Sequence, residues 1–148
     1  MLLWHKSIMI IYISQANLRV MVTMNKKLVK SQVQTKVKIE NICTWLAEKK
    51  AKDITAFDLE GKSAIAEGLI VVTATSLRQA QGLADFALEQ ARGQNYEFMH
   101  MEGYQSGLWI LLDFNDVLLN ILQQEPRDLY RLEELHPNAT ILRDDRLK

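Results

Sequence analysis

A single cysteine, Cys43, in 148 residues leaves nothing for an internal disulfide. That usage fits a reducing compartment, and the cytoplasm is the expected location. Three histidines, His5, His100 and His136, stand far apart, and no cysteine pair accompanies them. Zinc-ligand spacing is therefore missing, and no metal or other cofactor is expected. Glycine is also scarce, with six in the chain, and none falls in a phosphate-cradling pattern. There is no G-x-G-x-x-G, and Gly61-Lys62 has Ala56 where a P-loop needs its first glycine. The apolar run Ile8–Ile13 is six residues long, far short of the roughly 20 that span a bilayer. One lysine precedes that run and no small-residue cleavage site follows it, so a signal peptide does not fit either. No membrane association is expected.

What the chain does have is an ordinary globular composition, 48% apolar and 24% charged, at the size of one domain. Its net charge of zero conceals a division. Residues 1–50 hold nine Lys/Arg against two acids, net +7, and residues 51–148 hold nine against sixteen, net −7. Nucleic-acid binders gain affinity by neutralising phosphates, so the acidic part does not read as a DNA-binding body. It suits a basic protein partner, because complementary charge speeds and orients docking. A merely solvated acidic surface is the plainer alternative. The first residues do not match the rest, and the expected organisation is a leader over 1–34, a domain over 35–138 and a charged, frayed tail over 139–148. Met21 and Met24 just precede Asn25-Lys26-Lys27, which suggests that translation starts at one of them. An intact mass of the native protein that includes Met1–Thr23 would contradict this.

Regular patterning begins at Thr35. Ile39, Ile42, Cys43, Leu46 and Lys50 share a helical stripe, and Lys49, Lys50 and Lys52 suit a helix C-terminus. Ile54–Leu59 reads as a strand that stops at Glu60-Gly61. Leu69–Thr73 is apolar on both faces, as a strand covered on two sides would be. Ser76 with Gln79 forms a capping-box pattern, and Ala80, Leu83, Ala84, Ala87 and Ala91 form the buried stripe of the helix that follows. Tyr96–Glu102 alternates like a strand. Trp109–Phe114 and Val117–Leu122 are apolar runs joined by the turn pair Asn115-Asp116. Pro126 sits in the first turn of a helix expected to reach about Leu135. The order α-β-β-α-β-β-β-α predicts an α/β protein, in the form of an α+β mixed sheet with flanking helices.

Catalytic groupings are thin. Cys43 lies on an apolar helical stripe, where a structural thiol is expected rather than a nucleophile. Asp113 and Asp116 flank a turn and could hold a divalent ion, although aspartate is common in turns for its own reasons. No nucleophile, base and orienting group occur together. A binding surface has better support. Alternation places Trp109, Leu111 and Asp113 on one strand face and Ile110, Leu112 and Phe114 on the other. If the second set is core, a tryptophan lies beside a carboxylate on an open face, the composition of an interface anchor. A wholly buried Trp109 is the alternative.

Several segments carry a family resemblance. They are Lys49-Lys50-Ala51-Lys52-Asp53-Ile54, Phe57 through Ser63 (FDLEGKS), Ala74 through Gln79 (ATSLRQ) with Leu83-Ala84-Asp85, and Met101-Glu102-Gly103. The longest are Trp109 through Val117 (WILLDFNDV) and Glu125 through Leu135 (EPRDLYRLEEL). Occurring in order over roughly residues 36–137, they resemble the ribosomal silencing factors of the Iojap-like family. The resemblance implies a nucleotidyltransferase-like fold that lacks the catalytic Gly-Ser and Asp-x-Asp signature, and a protein that is not an enzyme. It further implies that the chain binds the fourteenth large-subunit ribosomal protein, blocks subunit joining and represses translation. By this analogy Trp109, Ile110, Leu111 and Asp113 would dock the partner, with Glu102 added from the preceding strand. A homodimer is also compatible with it. Three positions depart from the family pattern: Asn115 replaces a glycine in the turn, Asn120 stands where histidine is common, and Ala74 where glycine is common. Asparagine tolerates a left-handed backbone, so the turn should survive. Two rival readings follow from the residues: a metal-dependent nucleotidyltransferase-type enzyme, and a direct ribosomal RNA binder using the basic first third.

Overall fold

The computed structural model describes the backbone of residues 2–148 and the side chains of Gln15, residues 17–27 and residues 34–148. Helix α1 runs Leu2–Glu48. The chain divides into two compact units, Met1–Gln34 and Thr35–Lys148. In the first, Leu18, Val20, Met21, Val22 and Met24 are exposed, while the side chains of the Ile8–Ile13 run lie outside the described residues. No helix among the described residues is long and apolar enough to cross a membrane.

The second unit is a six-stranded mixed sheet with helices packed on it, the fold class expected from the element order. Its strands are β1 (Lys52–Asp58), β2 (Gly68–Thr73), β3 (His100–Glu102), β4 (Trp109–Asp113), β5 (Val117–Leu122) and β6 (Thr140–Asp144), in spatial order β3-β4-β5-β2-β1-β6. Only β2 and β5 pair in parallel; every other neighbour is antiparallel. Those two occupy the centre, which explains why Gly68–Thr73 is buried at every position.

One face of the sheet carries the main core. Ile39, Ile42, Cys43 and Leu46 of α1, and Ala80, Leu83, Ala84, Ala87 and Ala91 of α2 (Leu77–Gly93), pack there against Ile70, Val72, Ile110, Leu112, Leu119 and Ile121. Burial pushes the Cys43 thiol up to about 12, which suits an inert core group. The α2 start matches its sequence signature: the Ser76 hydroxyl accepts from the Gln79 N–H at 3.1 Å. The Gln79 side chain accepts from the Thr75 N–H at 2.7 Å. Gly68 lies close beneath α1, where an added Cβ would come within 2.5 Å of Ile39 Cδ1 and oblige that side chain to shift.

The β4–β5 hairpin turns at Asn115-Asp116, with the Phe114 N–H donating to the Val117 carbonyl at 2.9 Å. Asn115 adopts φ +74°, so asparagine does sustain the left-handed turn. The β3–β4 connection depends on Gly103, at φ +77°, where an added Cβ would lie 2.0 Å from the Trp109 carbonyl oxygen. Both strain and overlap oppose any side chain there. Gly103→Ala is therefore expected to destabilise the fold by about 2 kcal/mol or more. Urea unfolding checks this, and an unchanged midpoint would contradict it.

Three segments differ from expectation. Only His100–Glu102 of the Tyr96–Glu102 stretch is a strand. Tyr96 and Phe98 turn into the core instead, and the Tyr96 hydroxyl accepts from Asn41 Nδ2 at 2.7 Å. The final helix divides into α3 (Gln124–Tyr130) and a 3-10 turn (Leu132–Leu135), broken at Arg131 with φ +45°. The break lets Leu132 pack beneath the sheet with Phe57, Leu69 and Val71. The tail is ordered rather than frayed. Residues 140–144 form β6 against β1, and a last 3-10 turn spans Asp145–Leu147. Side-chain hydrogen bonds from Arg146 and Arg143 hold Asp144 and Asp145, respectively, below the usual carboxylate range. The charges expected to fray this segment pair with one another and pin it.

Candidate functional site

The opposite face of the sheet is only partly covered, and strand alternation decides what it presents. Ile110, Leu112 and Phe114 are wholly buried under the helices. Trp109, Leu111 and Asp113 consequently face the other way, each half-buried. The register sets Glu102 of β3 beside Leu111, and Leu111 beside Asn120 of β5. One step along, His100 lies beside Asp113 and Asp113 beside Leu118. Four of the five residues expected to dock a partner, Glu102, Trp109, Leu111 and Asp113, thus share one surface. The fifth, Ile110, does not. Its side chain is in the core, so it supports the strand from behind and cannot touch a partner directly.

Trp109 is held rather than loose. Its indole N–H donates to Asn120 Oδ1 at 2.9 Å, and its ring lies 5.0 Å from the Tyr130 ring at a tilt of 46°. A fixed rotamer lowers the entropy lost on docking. Asn120, which the sequence reading left without a role, is the residue that holds the indole. It is buried, and accepting the indole proton keeps it from being an isolated polar group in an apolar strand. The signal was there, a lone amide within Val-Leu-Leu-Asn-Ile-Leu, but its partner eleven positions upstream depends on strand register.

The rim of this surface is acidic. Glu102 is 69% exposed and Asp113 24%, with His100 between them: Nε2 lies 3.3 Å from Glu102 Oε1 and Nδ1 3.7 Å from Asp113 Oδ2. Exposed Leu129, Tyr130, Leu135 and Ile141 add apolar area on the elements following β5.

Asp113 and Asp116, the candidate metal pair, are engaged separately. Asp113 Oδ1 accepts from the Asn115 N–H at 2.8 Å, capping the turn. Asp116 instead accepts from buried Lys38 and, at 2.7 Å, from the Thr35 hydroxyl. Lys38 also donates to the Phe114 carbonyl at 2.8 Å, so Asp116 fastens the start of the domain to the hairpin. Among the described residues no group of three His, Cys, Asp or Glu side chains could hold a metal ion.

A second polar cluster lies under the 3-10 turn after α3. Buried Arg127 donates from Nη1 to the Asp53 carbonyl at 2.6 Å and to the Thr73 hydroxyl at 2.8 Å. Its Nε and Nη2 reach Glu133 Oε1 at 3.0 and 2.5 Å. This network ties α3 to β1 and β2, and so fixes Tyr130 beside Trp109.

Comparison with known proteins accords with these features. A family model described as "Ribosomal silencing factor during starvation" matches residues 32–148. A ribosomal silencing factor RsfS of Haemophilus influenzae is 33% identical over 97 residues, 66% of this chain and 95% of that protein. That of Bacillus subtilis is 32% identical over 94 residues, 64% of this chain and 80% of its own. Among solved structures, a Chromobacterium violaceum protein superposes with a TM-score of 0.62 at 29% identity, over 66% of this chain and 85% of that one. A Bacillus halodurans protein gives 0.61 at 26% identity, over 72% and 97%.

Proposed function

This chain belongs to the family of ribosomal silencing factors, regulators rather than enzymes, and from that premise we propose that it binds the large ribosomal subunit and blocks subunit joining by occlusion. The observation that carries the reading is the open sheet face, where Trp109 is clamped by Asn120 and Tyr130 beside Leu111 and Leu118. An aromatic anchor held in one rotamer, with apolar neighbours and a charged rim, is the composition of an interface centre. Residues 51–148 carry net −7, and Glu102 and Asp113 bring two of those charges to the rim. A basic surface is the complement. The fourteenth large-subunit ribosomal protein, at the face that receives the small subunit, is the partner we assign. Glu102, Trp109, Leu111 and Asp113 make contact, and Ile110 supports them from the core. The factor acts in the cytoplasm, where ribosomes assemble, and the family resemblance is compatible with a homodimer.

No step in this mechanism needs a bond to be made or broken. The bound protein occupies volume that the small subunit requires, so repression scales with occupancy. Co-sedimentation with separated subunits tests the reading. Pelleting with the large subunit alone supports it; pelleting with neither, or equally with both, would refute it.

The rim supplies a sharper check. Asp113→Lys puts a cation where the partner is basic, and affinity is expected to fall about tenfold at low salt. The loss should shrink as salt rises, because a partly exposed charge is screened. A loss independent of salt between 50 and 300 mM would instead mean that the substitution acts through packing.

A further inference from the structure

His100 lies on the proposed docking surface between the two carboxylates that give its rim negative charge, 3.3 Å from Glu102 and 3.7 Å from Asp113. We propose that His100 makes docking pH-sensitive, its protonation masking Glu102 and Asp113 and weakening attachment to a basic partner. The inference rests on the reading of this face given above, and it adds how that face is regulated.

The geometry supports it in three ways. His100 is half exposed and Glu102 more so, so a proton reaches the imidazole without local unfolding. Strand pairing fixes the arrangement: His100 and Glu102 lie on the same side of β3, and His100 is directly opposite Asp113 of β4. Among the described residues, no Lys or Arg side chain forms an ion pair with Glu102 or Asp113. Beyond Asp113, β5 contributes apolar Leu118. The segment before β3 contributes Glu97, whose carboxylate accepts from Asn115 Nδ2 at 2.8 Å.

The sign follows from charge. Imidazole is the ordinary side chain that changes charge between pH 5 and 8. With His100 neutral, the two carboxylates present two negative charges to the partner. With His100 protonated, one positive charge stands between them and draws both into pairs within the molecule, leaving less for the partner. Docking therefore weakens as pH falls, and binding releases a proton when it begins from the protonated form.

The test is the affinity of the full chain for purified large ribosomal subunits at pH 7.5 and pH 6.0, at fixed ionic strength. Wild type is compared with His100→Gln and His100→Lys, both at a half-exposed position, with circular dichroism checking that each is folded. Titration of the ribosome itself is common to all three, so the comparison between variants carries the result. Wild type should bind about three- to fivefold more weakly at pH 6.0 than at pH 7.5, the range open to exposed charge pairs. Whatever its affinity at pH 7.5, His100→Gln should keep that affinity at pH 6.0, and His100→Lys should be weak at both. An equal fall in His100→Gln and wild type overturns the switch while leaving the docking face intact. Absence of binding by wild type at either pH overturns the docking reading itself and the switch with it.

Discussion

Trp109→Ala is expected to weaken binding to the large ribosomal subunit by about 2 kcal/mol or more, roughly 30-fold, the scale of an interface hot spot. The ring is half-buried in the free protein and its edge is fixed by Asn120 and Tyr130. It therefore enters an interface with little rotamer freedom left to lose. Truncation removes the anchor and also leaves the buried Asn120 carbonyl without its donor, so part of the cost is reorganisation of the unbound protein. Trp109→Phe separates the two contributions, since it retains most of the apolar area and loses only the N–H. If area dominates, Phe keeps most of the affinity and Ala loses it. Isothermal titration or filter binding with folded variants measures both. Unchanged affinity in Trp109→Ala, with a native circular dichroism spectrum, would remove Trp109 from the interface.

Arg127→Met is expected to cost about 3–5 kcal/mol of stability, the scale for breaking a buried ion pair from one side. The guanidinium is 6% exposed and its partner carboxylate, Glu133, 8%. Loss of the cation also deprives the Asp53 carbonyl and the Thr73 hydroxyl of a donor. Arg146, 3.4 Å from Glu133, offers partial compensation and places the expectation toward the lower end. The double variant Arg127→Met, Glu133→Leu should recover much of the loss, because a removed buried pair costs far less than a halved one. Denaturant unfolding of both variants checks this. Equal destabilisation in the single and double variants would show that packing, and not the orphaned carboxylate, sets the cost. The single variant should also loosen Tyr130 and hence Trp109, linking a stability network to the docking face.

Local features of the fold were the legible ones. The capping pair Ser76 and Gln79, the alanine-rich stripe of α2 and the Asn115-Asp116 turn each depend on residues a few positions apart, and each is present in the structure. The alternation in Trp109–Phe114 reduced the site to two opposite faces. Choosing between them required knowing where the helices pack, which Ile110, Leu112 and Phe114 settle by burial. It also separates Ile110 from the residues proposed to make contact, a distinction that the family resemblance did not make.

The elements that were missed depend on distant partners. Strand β6 has no apolar alternation of its own, and its order comes from pairing with β1 and from the Arg143–Asp145 and Arg146–Asp144 pairs. The break in the last helix has no glycine to announce it. Arg131 takes the left-handed conformation because Leu132 and Glu133 are recruited to the sheet and to Arg127. Arg127 itself reads as one more surface cation in a helical segment. Its burial appears only when chain topology brings Asp53, Thr55 and Thr73 to it.

The central claim is occlusion, and the most direct measurement is a subunit-joining titration. Separated subunits are mixed with increasing amounts of the protein, and joined ribosomes are quantified by sedimentation or light scattering. The account predicts that joining falls in proportion to occupancy of the large subunit, and that Trp109→Ala requires about 30-fold more protein for the same effect. Saturated binding to the large subunit with joining undiminished would contradict it.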